Sequence, residues 1–223
     1  MKTKNKPWVD EYLVPLAPSD RVLEKANLYS DPQTAWSDWD RTEDLLWALV
    51  ETKTDPKKLI PCLCDIAKHV LPVFARVYPK DKRPKEAIAA VRKLVKNPSA
   101  KNIAVIREHR RIMNECFDKS DGSSNKLLAR LVVDAVKCVV EVTVLAIDKA
   151  FAGRASEDLV LFAEGAASDA RYAIDSSTRY DATSGTWRAV MSDEYGDNSE
   201  GRWQLECIRE HFPYPPIENE NKK

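Results

Sequence analysis

The chain has 223 residues, and its 35 basic and 35 acidic side chains cancel, so no strong overall field draws it to nucleic acid or a membrane surface. Six glycines is few for this length, which argues against a β-rich fold with many tight turns. It also argues against phosphate-cradling loops, and no GxxxxGKS or GxGxxG run occurs. Five cysteines, odd in number and scattered, fit reduced thiols better than a disulfide framework. The basic residues 1–6 are followed by no apolar run of signal-peptide length, so the expected setting is cytoplasmic.

Residues 1–18, with Pro7, Pro15 and Pro18, are expected to form an extended arm tied down by Trp8, Tyr12 and Leu13. Ser19 or Asp20 caps a short helix to about residue 28. Asp31-Pro32 places a capping carboxylate before a proline at the first helical position and starts a second helix to residue 39. A third covers 42–52. Asp55-Pro56 repeats the start signal for a longer helix, in which Leu59, Leu63, Ile66, Val70 and Phe74 recur at helical spacing, with kinks expected at Pro61 and Pro72.

Pro84 starts the next helix, to about residue 96, whose Ala87, Ile88, Val91, Leu94 and Val95 form one apolar stripe. Helices over about 100–118 and 125–151 follow. The second is valine-rich and apolar nearly all round, and its length without a turn signal favours one buried helix. Arg130, Asp134, Lys137, Glu141, Asp148 and Lys149 interrupt it too often for a membrane span. A small-sided helix runs over 156–175, with Gly165, Ala166, Ala167, Ala170 and Ala173 suited to close packing. Residues 176–201 are polar, a last helix spans 202–211, and Pro213, Pro215 and Pro216 stop it. The expected fold is all-α: an arm over 1–18, one multi-helix domain over 19–212 with a long buried central helix, and a tail over 213–223.

Residues 35–49 hold three of the six tryptophans. Trp36, Trp39 and Leu46 fall on one helical face, with Arg41, Glu43 and Asp44 interleaved. Such a segment is either a core nucleus or a recognition surface, and the burial preference of aromatics favours the core.

Sites of chemistry are sparse. Cys62 and Cys64 form Cys-x-Cys in a predicted helix, which turns their side chains about 200° apart, so two packed thiols are expected and no metal. His69, His109 and His211 stand far apart, outside any HExxH frame, and no GxSxG elbow accompanies them. Neither catalysis nor a cofactor is expected.

Charge is balanced overall but segregated locally. Residues 80–101 carry Lys80, Lys82, Arg83, Lys85, Arg92, Lys93, Lys96 and Lys101 against Asp81 and Glu86. Steps of seven and four residues place Lys85, Arg92 and Lys96 on one outward side. Residues 193–220 run the other way, with Asp193, Glu194 and Asp197 at the head of an acidic stretch. These are either solvated faces that partly neutralise each other or surfaces that steer a partner. No aromatic platform accompanies the lysines, so nucleic-acid binding is not expected.

Several short motifs resemble the immunity protein family of bacterial polymorphic toxin systems, also found in phage genomes. Ala35, Trp36, Arg41, Glu43, Leu46 and Trp47 resemble its Ala-Trp-x-x-x-x-Arg-x-Asp-Trp-x-Leu-Trp pattern. Cys64, Ala67, Val70, Leu71 and Pro72 resemble its Cys-x-x-Ala-x-x-Val-Leu stretch. Arg83-Pro84-Lys85-Glu86-Ala87-Ile88 resembles its Pro-x-x-Ala-Ile segment, and Trp203, Gln204, Ile208, Arg209 and Phe212 its closing residues. The chain departs from the family at Trp39, often cysteine there, at Glu43 and Asp44, and in its valine-rich middle. The resemblance implies an all-helical, non-catalytic protein that binds and neutralises a protein toxin, with Trp36, Arg41, Glu43, Trp47 and Trp203 as its structural motif. Phage members imply an alternative target, a host defence complex such as a nuclease. A nucleic-acid-binding module built on the basic segment and an enzyme of unrecognised type are the remaining alternatives.

Overall fold

Side-chain caps set the first helix starts. Ser19 Oγ accepts from the Val22 amide at 3.4 Å, Asp31 Oδ1 from Thr34 at 2.8 Å, and Asp55 Oδ1 from Lys57 at 2.9 Å. Each satisfies an amide that the first helical turn leaves without a partner. In the computed structural model, which describes residues 5–117, 124–147, 155–178 and 199–216, these caps open α1 (Asp20–Ala26), α2 (Pro32–Asp38) and α4 (Pro56–His69). Between the last two lies α3 (Thr42–Glu51).

Pro61 is carried inside α4 without ending it. At Pro72 the chain does break, at Val70, and α5 (Leu71–Val77) begins with that proline in its first turn. A missing amide there costs nothing extra. The chain continues through α6 (Arg83–Lys96), α7 (Ala100–Phe117), α8 (Ser124–Ile147), α9 (Ala155–Thr178) and α10 (Ser199–His211). No strand occurs among the described residues, and the helices form one packed all-α domain. No described helix is long and apolar enough to cross a membrane.

The expected extended arm is instead wound. Val9–Leu13 makes a π-helical turn and Val14–Leu16 a 3-10 turn. Burial of Trp8, Val9 and Leu13 drives this, and Trp8 Nε1 donates to the Tyr29 carbonyl at 3.3 Å.

Helix α8 is the centre of the core, packed against α4, α5, α6, α7 and α9. Its Val132, Val136, Val139, Val140 and Val142 are fully buried. Buried Thr143 returns its hydroxyl to the Val139 carbonyl at 2.7 Å, and buried Glu141 accepts from Arg110 Nε at 2.8 Å, so neither polar group is left unpaired. The close approach of α9 rests on small side chains: Ala163, Ala166, Ala167, Ala170 and Ala173 are buried. A Cβ at Gly165 would come 3.0 Å from Cys138 Sγ.

Candidate functional site

The tryptophan segment is not one continuous helix. Trp39 and Arg41 are extended between α2 and α3, yet Trp36, Trp39 and Leu46 are all buried. Two polar contacts hold this break. Trp39 Nε1 donates to buried Asp44 at 2.9 Å, and Arg21 Nη1 donates to the same carboxylate at 2.9 Å. Trp36 Nε1 donates to the Phe212 carbonyl at 2.8 Å, and Arg209 Nε donates to the Trp36 carbonyl at 3.2 Å. Arg209 also reaches the Trp39 carbonyl. The Trp36 and Arg209 motifs, near opposite ends of the sequence, therefore clasp one another.

The other motif residues separate. Glu43 accepts from Arg171 on α9 at 3.1 Å, while Arg41 stays 4.0 Å from it and only partly exposed. Half-buried Trp47 lines a small apolar cavity of about 40 Å³ with Trp8, Trp36 and Trp39. Trp203 stacks on His69, with ring centroids 3.8 Å apart. Trp36 and Trp203 thus anchor helices, on different partners.

Helix α6 carries the basic surface. Asp81 accepts from the Arg83 amide at 3.0 Å and from Arg83 Nε at 2.9 Å, and that guanidinium holds its carboxyl below the usual carboxylate range. Pro84, Ala87, Ile88, Val91 and Leu94 are buried, leaving Lys85, Lys93 and Lys96 exposed. Arg92 shares their direction but is diverted: its guanidinium is paired with Asp65 of α4. The outward set is therefore Lys85 and Lys96 with Lys93 beside them, and Arg92 is a tether. Asp193, Glu194 and Asp197 lie outside the described residues.

Asp65 links this face to a cleft of about 390 Å³ between α4 and α10, lined by Asp65, Lys68, His69, Trp203, Glu206, Cys207, Glu210 and His211. His211 Nε2 lies 3.1 Å from the second Asp65 oxygen, so one carboxylate bridges Arg92 and His211. At the other end, His69 Nε2 meets buried Glu200 at 3.2 Å. Burial lowers the His69 pKa, favouring the neutral ring. Glu200 also accepts from buried Gln204 at 3.1 Å, whose amide donates in turn to the Ala167 carbonyl at 3.0 Å.

Cys64 is buried, and burial pushes its thiol up to about 12. Cys62 points away from it, toward Cys207 of α10, with which it shares a hydrogen bond. That bond and burial hold the Cys62 thiol protonated, well above its ordinary range. Spacing within one helix could not reveal this pairing; only the docking of α10 on α4 brings the two sulfurs together.

No family model, curated protein or solved structure matches the chain.

Proposed function

We propose that the protein is a non-catalytic inhibitor of the immunity class, which binds a protein toxin and covers its active surface. The observation that supports this is the outward face of α6. Lys85, Lys93 and Lys96 stand exposed on a helix whose opposite stripe is buried, so the charges sit on a rigid base. A toxin with an acidic, metal-binding cleft would be drawn to such a face, and preorganised charge raises association rate and selects the partner. The five free thiols suit a reducing, cytoplasmic setting.

The test is co-expression in a bacterial host with the toxin domain encoded immediately upstream. Growth should be rescued by the chain and lost again with Lys85→Glu/Lys96→Glu, both exposed and outside the core. Equal rescue by the double variant would remove α6 from the interface. Absence of any toxin gene, with the chain in a phage early operon, would turn the reading to a host defence complex as target.

A further inference from the structure

Among the described residues, three metal-ligating side chains converge where α10 docks on α4. Cys62 Sγ, Cys207 Sγ and a ring nitrogen of His211 all lie within 4.8 Å of one another. Cys207 and His211 are four residues apart on α10 and so share a face. Cys62 meets them from the buried side of α4.

We propose that Cys62, Cys207 and His211 form a zinc site that fastens α10 to α4. A tetrahedral zinc holds thiolate sulfur at about 2.3 Å and imidazole nitrogen at about 2.0 Å, so its ligand atoms stand roughly 3.5–3.8 Å apart. The three atoms need only close in by about 1 Å, within the reach of side-chain rotation. Two sulfurs and an imidazole select a borderline-soft ion and disfavour calcium or magnesium, which require oxygen.

Two further features, which also tie α4 to α6 and α10, suit a metal centre. His211 directs Nε2 at Asp65, 3.1 Å away. With the proton on Nε2, that is the outer contact by which a carboxylate orients a ligating histidine, and Nδ1 would then carry the lone pair for the ion. Arg92 holds Asp65 in place from the other side. Cys207 and His211 line the cleft, where Asp65, Glu206 and Glu210 outnumber Lys68. That charge favours the approach of a cation, and water from the cleft would complete the fourth position, with Cys62 closing the site from the buried side. Cys64 takes no part: its thiol faces Arg92.

The experiment uses the full chain, reduced and stripped with chelator, titrated with cobalt chloride and then zinc chloride. One equivalent of cobalt should give a sulfur-to-cobalt charge-transfer band and the intense visible bands of a tetrahedral site, both bleached by zinc. Zinc should raise the melting temperature. His211→Ala and Cys207→Ser should each lower zinc affinity by roughly a hundredfold, Asp65→Asn by about tenfold, and Cys64→Ala should leave it unchanged. Melts recorded in chelator show which variants remain folded. His211 is partly exposed, so its variant serves if Cys207→Ser does not fold. No charge-transfer band, or zinc bound equally well by folded His211→Ala, would overturn the proposal. So would a Cys62–Cys207 disulfide formed in preference to metal uptake.

Discussion

Trp36 donates its indole N–H to the carbonyl of Phe212 at 2.8 Å, with both residues buried. This bond closes the domain, because it joins the first helices to the residue that follows α10. Trp36→Ala removes the ring from the core and should cost about 3–5 kcal/mol in denaturant unfolding. Trp36→Phe retains most of the apolar area and should cost about 1–2 kcal/mol, chiefly by leaving the Phe212 carbonyl without a donor. An alanine variant as stable as the parent but unable to bind its partner would make Trp36 a recognition residue instead.

The α8–α9 contact makes a separate prediction. Alanine at position 165 gains about 1 kcal/mol of helix propensity but sets its Cβ 3.0 Å from Cys138 Sγ. Gly165→Ala alone should be neutral or destabilising. In a Cys138→Ala background, where the sulfur is gone, the same change should stabilise by about 1 kcal/mol. A cycle with no coupling would mean that α9 shifts freely against α8.

Asp134 on α8 and Asp169 on α9 are both pushed by burial up to about 6, and the Asp134 charge adds to the shift at Asp169. An unfolded aspartate titrates near about 3.9, so between about pH 4 and 6 the folded state binds more protons than the unfolded. Their contribution to stability is full below about pH 4 and is lost as pH rises through about 6. Asp169→Asn should therefore exceed the parent in stability at about pH 7, by on the order of 1 kcal/mol after screening. At about pH 4 the two should converge. A gap independent of pH would place its cause outside this titration.

The helix starts were legible because each is a local device. Ser19, Asp31 and Asp55 cap the amides two or three residues on, and a short window of sequence contains both partners. The burial of α8 was legible from its near-continuous apolar surface. The arm was misjudged as extended because its prolines speak locally, whereas burial of Val9 and Leu13 depends on residues distant in sequence. Position 92 falls on the outward side of α6 by periodicity, but only the docking of α4 supplies the Asp65 that turns its side chain aside. Likewise, Cys62 has Cys64 as its neighbour in sequence and Cys207 with His211 as its neighbours in space. Asp65 and His69 stood in no motif, and Arg209 stood in one that does not show its partners, since all three meet residues of other elements.

The central claim is that the α6 face of Lys85, Lys93 and Lys96 steers a protein partner. It is tested most directly by association kinetics of the chain with the toxin domain encoded beside it, at low and near-physiological salt. The account predicts a one-to-one complex whose association rate falls about tenfold or more in Lys85→Glu/Lys96→Glu, with a nearly unchanged dissociation rate. Raising salt should reduce the same rate and leave most of the affinity. A double variant with unaltered association would contradict the claim. So would submicromolar binding of the parent chain to a generic oligonucleotide at about 150 mM salt, with the steep log-linear salt dependence of phosphate contacts.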